Sequence, residues 1–380
     1  MILRKFFIIC DTVYPDDSGG RKLSLGRIFE AKESGFKVSV LHYNYTNSDV
    51  SIARQFFLEH NIDYFYYIPA FSHKKSNLVR CANYISSVIK LTPEPYYYIM
   101  KDYGFKKFVL DNFEMSKNST LSIESILLSG LLPWFNTFEG SIELVFHNVE
   151  SDFYRQLSIS SRSIIYKIFF FIESMKLSAI EKYLFNIKDE NIYFVFLSEK
   201  DLEKYRLIFP EFQADIFINK NNLFIKEKIK RSVNFNKPFF LFPGGLNFPP
   251  NRYSLNWFLA AMSKRVSSLG VDILVTGSFN DDIKSQFSQY SCVKLVGYVS
   301  DIQLRELQSS CIAVISPIIT GGGVKIKNIE AIKLKIPLIA TKFSCEGIDE
   351  RGANIYITDD EPGSFYITMK SVLNKTMSYK

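Results

Sequence analysis

SPIITGGGVKIKNIEAIKLKIPLIAT, residues 316–341, decides the fold. An apolar run over 312–316 leads into it and reads as a buried strand. Gly321, Gly322 and Gly323 follow at once. Then Val324, Ile326, Ile329 and Ile332 alternate with Lys325, Lys327, Asn328 and Lys333 at helical spacing. Pro337 stops that helix, and 337–341 reads as the next strand. Three glycines let a backbone approach a ligand closely, because no Cβ stands in the way. The first turn of the helix offers unpaired N–H groups and a positive dipole end, which suit a phosphate. Lys325 and Lys327 add charge there, and Glu330 lies deeper, where a carboxylate accepts hydrogen bonds from sugar hydroxyls. Such a loop also joins strand to helix in α/β proteins that bind no phosphate. Lys333 and Lys335 read as a solvated helix C-terminus.

GGGVKIKNIEAIKLKIPLIAT, residues 321–341, resembles the donor-binding segment of the GT4-type (glycosyltransferase group 1) retaining glycosyltransferases of the GT-B fold. That segment runs glycine-rich loop, Lys, Glu-Ala, Gly-x-Pro, then a strand ending in Thr or Ser. The family often carries Glu-x7-Glu. Counting back from Glu330 puts Gly322 at the first Glu, a position where a subset of the family has Gly or Ser.

At 380 residues with 47% hydrophobic residues, two domains are favoured over one. The net charge of +7 is compatible with an anionic nucleotide or an anionic membrane surface. It is too diffuse to argue for nucleic acid. Cys10, Cys81, Cys292, Cys311 and Cys345 show no Cys-x-x-Cys spacing and read as free thiols in a reducing compartment. MILRKFFIICD reads as a first strand, not a signal peptide. No stretch reaches the roughly 18 apolar residues that span a bilayer. A cytoplasmic location, with peripheral contact at the inner face of the cytoplasmic membrane as an open option, follows.

Strands over 5–10, 37–42, 64–68, 120–123, 143–146 and 194–197 alternate with helical segments, the pattern of a parallel doubly wound sheet. Residues 71–113 read as two helices separated by TPEP. Gly19-Gly20 after the first strand reads as a βα turn. By resemblance, Gly19, Gly20 and Arg21 face the cleft on the acceptor side. His147 ends the fifth strand, and ligands lie beyond the C-terminal ends of such strands. HNVESDFYR, from His147, resembles a His-Asn-x-Glu segment of part of the family, which implies a catalytic role for His147 beside Asn148 at the transferred sugar. Residues 163–186 read as a long amphipathic helix. Ile164, Ile168, Phe171, Ile172, Met175, Ala179 and Leu184 form the stripe for the core, and Arg162, Lys167, Lys176 and Lys182 form the solvated face. A membrane-surface reading stands beside that one. Ser198 is the expected N-cap of the next helix, with Asp201 completing a box.

The polar, basic composition of 214–236 marks a linker between an N-terminal domain, 1–213, and a C-terminal one, 237–380. The second domain opens with a strand over 238–242, Gly244-Gly245, and a helix over 251–266. The family often has an Arg and a Lys in this region for the donor diphosphate. Counting along the motif puts Gly245 and Asn251 there, so Lys325 and Lys327 are the expected replacements. Burying an unpaired diphosphate without them costs too much. Ser300 with Gln303 reads as a capping box. Tyr298 and Val299, in GYVSD, resemble the loop that packs on the nucleobase.

The resemblance therefore implies two Rossmann-like domains whose parallel sheets face across a cleft. It implies transfer of a sugar from a nucleotide-sugar donor to an acceptor hydroxyl with retention, in bacterial surface polysaccharide assembly of the capsule or O-antigen type. The acceptor would be a glycan or a lipid-linked glycan. Donor contacts would come from Gly245, Tyr298, Val299, Gly322, Gly323, Val324, Lys325, Lys327 and Glu330. No metal-ligand spacing is visible, and no cofactor is expected. Two alternatives stay open, a GT-B sugar-nucleotide epimerase and a catalytically inactive nucleotide-binding partner of an assembly complex. The oligomeric state is not legible.

Overall fold

The computed structural model describes residues 3–10, 19–44, 49–69, 85–89, 93, 102–113, 116–161, 163–187, 189–197, 199–210, 216–218, 237–322, 324–348 and 354–378. The chain divides into two compact units, Met1–Phe224 and Ile225–Lys380.

Unit 1 carries strands β1 (Arg4–Ile9), β2 (Lys37–Tyr43), β3 (Asp63–Tyr67), β4 (Ser119–Ile123), β5 (Ser141–Phe146), β6 (Ile192–Phe196) and β7 (Ile216–Ile218). They pair in the order β3-β2-β1-β4-β5-β6-β7, all parallel. Helices α1 (Gly19–Glu33), α2 (Ser51–Glu59), α3 (Tyr103–Asn112), α4 (Glu150–Ser160), α5 (Ile164–Phe185) and α6 (Glu199–Ile208) alternate with them. Parallel strands need such crossovers, which cover both faces and demand apolar runs rather than alternation. Thus Phe7, Ile8, Leu144, Val145, Phe146 and Phe196 are all buried.

Unit 2 has six strands, β8 (Phe239–Pro243), β9 (Asp272–Thr276), β10 (Val293–Gly297), β11 (Val314–Ser316), β12 (Leu338–Thr341) and β13 (Ile355–Thr358). Their order is β10-β9-β8-β11-β12-β13, again parallel throughout. Helices α7 (Pro249–Ser267), α8 (Asp281–Phe287), α9 (Asp301–Ser310), α10 (Ile326–Lys333) and α11 (Pro362–Ser378) complete it. In both sheets the first strand of the unit has its successors on opposite sides. That creates a switch point between β1 and β4, and another between β8 and β11, where a crevice opens at the strand C-termini.

Several local readings hold. Ser300 and Gln303 form both bonds of a capping box on α9. Cys292 and Cys345 are buried free thiols, while Cys10 and Cys311 are half-buried. Cys81, the expected Ser198 cap, the TPEP segment and most of the expected linker lie outside the described residues. Within that linker range, Ile216–Ile218 is the edge strand of the first sheet.

Three differences are informative. Gly19 and Gly20 open α1 rather than forming a turn before it. Lys335 takes a left-handed backbone, φ 55°, just past α10, a conformation that disfavours any side chain.

The third is α5, where most of the expected apolar stripe faces outward and Lys176 inward, while Leu184 is buried and Lys167 and Lys182 are exposed as expected. Its buried side carries Glu173, Ser174, Lys176, Leu177, Ile180, Glu181 and Leu184. Ile164, Ile168, Phe171 and Met175 are each more than half exposed. Lys176 is fully buried, donating to Glu173 Oε1 at 2.6 Å and Ser87 Oγ at 3.0 Å. Glu181 accepts from Ser151 N at 3.1 Å and Tyr205 Oη at 2.8 Å. A second apolar set at helical spacing, Leu177, Ile180 and Leu184, packs inward together with these polar groups and their partners inside unit 1.

Candidate functional site

The switch point of unit 2 is where the expected donor residues fall. The loop after β8 and the glycine loop after β11 flank it, with α7 and α10 leaving from them. The backbone N–H of Ile319 donates to Ser254 Oγ of α7 at 3.1 Å, which fixes the second loop against the first helix.

Lys327 is the central side chain. It leaves α10 in the first turn, and its Nζ donates to Asn251 Oδ1 at 2.9 Å. The Asn251 amide nitrogen in turn donates to Gly245 O at 3.1 Å. The ammonium also sits 4.2 Å from the centroid of the Phe242 ring, a favourable cation–π arrangement. Gly244 makes room for this pair. It has φ 147°, and a Cβ there would lie 2.7 Å from Asn251 Nδ2 and 3.4 Å from Lys327 Nζ. Burial, followed by the neighbouring charge of Lys325, pushes the Lys327 ammonium down to about 7. No described carboxylate neutralises it by an ion pair.

Lys325 sits at the N-cap of α10, donates to Gly322 O at 3.2 Å and lies 5.0 Å from the Phe343 ring centroid. Val324 and Gly322 are half-buried beside it, and Gly323 lies outside the described residues. Glu330 is buried, with Oε1 3.4 Å from Arg305 Nη2 on α9. The Arg305 contact was not legible in the sequence.

Tyr298 and Val299 join this group through glycines. Gly277 N donates to Gly297 O at 2.8 Å, so the loops ending β9 and β10 lie together. A Cβ on Gly277 would come within 2.4 Å of Gly245 N, so the loop ending β8 is equally close. Tyr298 follows Gly297 and is two-thirds exposed. Gly245, Tyr298, Val299, Gly322, Val324, Lys325, Lys327 and Glu330 therefore all belong to the C-terminal end of one sheet and the helices leaving it.

In unit 1, His147 follows directly on β5 and is half-buried. Its Nε2 bonds to the backbone oxygen of Glu124 at 2.9 Å. A carbonyl only accepts, so Nε2 carries the proton and Nδ1 keeps its lone pair. No described residue bonds Nδ1. Burial lowers the imidazole pKa, Glu124 opposes this and Arg27 adds to it, so the ring is neutral near pH 7. Glu124 follows β4, beside the switch point of the first sheet. It is held by Arg27 Nε at 3.0 Å and Ser24 Oγ at 3.1 Å. Arg27 also reaches Glu143 at 2.8 Å, and Lys5 meets Glu143 at 2.6 Å. This buried network fixes the carbonyl that orients His147. Arg21 is half-buried on α1.

Asn148 Nδ2 donates to Glu150 Oε1 at 3.2 Å. Burial, helped by Glu181 and Asp201 and opposed by Asn148, raises Glu150 to about 7. Sequence reading missed Glu150. Its signal was the Glu of His-Asn-x-Glu, three residues after His147. Among the described residues, no group of three His, Cys, Asp or Glu side chains is placed to hold a metal.

Comparison with known proteins fits this geometry. Residues 237–375 match the family model "Glycosyl transferases group 1". An uncharacterised 44.6 kDa protein from the cps region of Klebsiella pneumoniae is 24% identical over 258 residues. That match covers 66% of this chain and 60% of the relative, so it spans less than two thirds of the relative's length. TarM of S. aureus, solved in a complex containing UDP, superposes with a TM-score of 0.66 at 13% identity, covering 98% of this chain and 93% of TarM. WaaG, a glycosyltransferase involved in lipopolysaccharide biosynthesis, gives 0.60 at 13% identity, with 97% and 90% covered. HepE of Anabaena, solved with UDP and glucose, gives 0.57 at 12% identity, with 99% and 91% covered. Residues 237–375, the second of two Rossmann-like units, thus match the glycosyl transferases group 1 model, and the chain as a whole shares the GT-B fold of these solved neighbours.

Proposed function

We propose that the chain transfers a sugar from a nucleotide-sugar donor to an acceptor hydroxyl, with retention, as a GT4-type enzyme of bacterial surface polysaccharide assembly. The observation that carries this reading is the Lys327 ammonium at Asn251 and Gly244. The family's usual diphosphate cations are absent from 245 and 251, and Lys327 brings a positive charge to that loop from α10. UDP in the neighbours TarM and HepE makes UDP-sugars the first donors to try.

In this reading the diphosphate lies against Lys327 and the N–H groups opening α10, with Lys325 adding charge. Glu330, steadied by Arg305, accepts from the ribose hydroxyls. Tyr298 and Val299 flank the base. Negative charge grows on the diphosphate as the glycosidic bond breaks. A fixed ammonium aimed there stabilises the transition state more than the ground state. With Lys327 in that role, the reaction needs no metal. As the resemblance implies, the acceptor oxygen attacks from the face the leaving phosphate departs from, and that phosphate takes the acceptor proton. His147 acts through Nδ1, accepting from a hydroxyl of the transferred sugar. Gly19, Gly20, Arg21 and Asn148 lie on the acceptor side, where a glycan or lipid-linked glycan binds. A cytoplasmic location is part of the same proposal.

Melting-temperature shifts with a panel of nucleotide sugars, followed by donor hydrolysis assays on the best binder, test the proposal. A stabilising donor that is turned over supports it. A chain that no nucleotide sugar stabilises, and that hydrolyses none, refutes it.

A further inference from the structure

We propose that Glu150, paired with Asn148, is a further acceptor-binding residue, and that the group it holds is a hydroxyl of a sugar that carries no negative charge. The inference rests on sugar transfer as proposed above and names the class of acceptor. Phe146 and Val149 are buried in unit 1, whereas His147, Asn148 and Glu150 are half-buried. Three polar side chains therefore keep access to solvent just past the C-terminal end of β5, where α/β sheets meet their ligands. The backbone beneath them is pinned from two helices. Tyr205 Oη of α6 lies 3.4 Å from Asn148 O, and Glu181 of α5 accepts from Ser151 N at 3.1 Å. The pair is thus held in place before any ligand arrives.

The bonding within the pair is one-sided. Asn148 Nδ2 donates to Glu150 Oε1 at 3.2 Å. That bond orients the amide, so Asn148 Oδ1 turns away from the carboxyl. No described residue bonds Asn148 Oδ1 or Glu150 Oε2. Glu150 is the first residue of α4, where a carboxylate ordinarily caps free N–H groups. Here it bonds Asn148 instead. Two acceptor oxygens are left on neighbouring forks, and the hydroxyls of a sugar are the donors they fit. Burial, with Glu181 and Asp201 adding to it, brings Glu150 to about 7. Its protonated form therefore also offers a hydroxyl oxygen a donor. Charge then decides the class of sugar. Glu181 of α5 and Asp201 of α6 both act on Glu150, and both are buried. A phosphate or uronate placed here would meet like charge where water screens it poorly. A sugar without negative charge brings hydroxyl donors at no such cost. A site built to bond hydroxyls also rejects ligands that cannot supply them.

Transfer assays on the full chain test this, using a donor that the chain hydrolyses. Octyl glucoside and octyl galactoside serve as uncharged acceptors, and octyl glucuronide as the anionic one. Transfer is expected to an uncharged glycoside and not to the glucuronide. Glu150→Gln should raise the KM for the uncharged glycoside at least about tenfold and change kcat less, as loss of a binding contact does. Melting temperature and nucleoside diphosphate affinity should stay native, because glutamine keeps the size and the Asn148 bond and the nucleotide residues lie in unit 2. Asn148→Ala, which leaves the carboxyl in place, should raise the same KM. A native KM in Glu150→Gln overturns the proposal, as does transfer to the glucuronide that matches the uncharged glycosides. A fall in melting temperature that accounts for the whole loss of activity in both variants makes the pair structural, and also overturns it. A native chain that hydrolyses a donor but glycosylates neither uncharged glycoside overturns the proposal alone. A chain that hydrolyses no donor refutes the sugar-transfer reading, and this proposal with it.

Discussion

Helices α10 and α5 were both read from apolar spacing, and only one faces the expected way. In α10, Ile326 and Ile329 are buried as the pattern implies, and the polar Asn328 is buried with them, its amide donating to Ser344 O. In α5 the apolar stripe is outside and a lysine is inside. Periodicity defines a stripe but not its direction. Direction depends on what the rest of the chain offers. For α10 it is the apolar strands β11 and β12. For α5 it is the apolar set Leu177, Ile180 and Leu184 together with polar partners, Ser87, Ser151 and Tyr205, remote in sequence from the groups they bind.

The strongest way to break this comparison is at Lys176. Lys176→Met leaves Glu173 buried without its cation, and should cost about 3–5 kcal/mol of stability. Lys176→Met with Glu173→Leu should recover most of it. Denaturant unfolding of both variants decides this, and a harmless single substitution would show that polar pairing does not help set the rotation.

On the α10 side, Lys327→Ala should weaken nucleoside diphosphate binding by about 1.5–3 kcal/mol, the value of a charge-assisted contact. Titration calorimetry measures it. Lys325→Ala should cost less, since its amine already points back to Gly322 O.

His147→Ala should lower turnover about tenfold or more, roughly 1.4 kcal/mol, while nucleotide affinity stays near native. The reason is that a contact to the sugar is made mainly in the transition state. A variant that loses stability but turns over normally per folded molecule would leave His147 a structural residue.

The pH dependence is a smaller effect with a defined sign. The Lys327 ammonium is lowered to about 7 in the unliganded chain, and an anion raises it again. Binding therefore takes up a proton, and affinity for a nucleotide sugar should fall as pH rises above about 7, by at most about tenfold per unit. Lys327→Arg, charged throughout, should flatten that profile.

The smallest effect concerns backbone. Lys335 at φ 55° occupies the Gly of Gly-x-Pro, so Lys335→Gly should stabilise by about 1 kcal/mol in thermal unfolding. An unchanged melting temperature would mean that the left-handed strain is already relieved.

Much of the fold was legible, because parallel strands covered on both faces leave long apolar runs, as in Phe239–Pro243, and glycines mark where they end. The site was legible where it lies within one motif, from Gly322 to Glu330. It was not legible where partners come from distant elements. Asn251 and Phe242 hold Lys327, Arg305 holds Glu330, and the Arg27–Glu124 pair sets the carbonyl on His147. None of these pairings leaves a spacing signature. Glu150 had one, but its raised pKa comes from burial with Glu181 and Asp201, which only the fold brings near.

The central claim is that Lys327 supplies the diphosphate charge missing at 245 and 251. Exchanging the charge between the two sides of the pair tests it most directly. Calorimetric titration would use whichever nucleoside diphosphate most raises the native melting temperature. Lys327→Asn should bind it at least about tenfold more weakly. Asn251→Lys together with Lys327→Asn should regain most of the loss, because Nζ returns to the same loop from α7. Native affinity in the single Lys327→Asn variant would contradict the account.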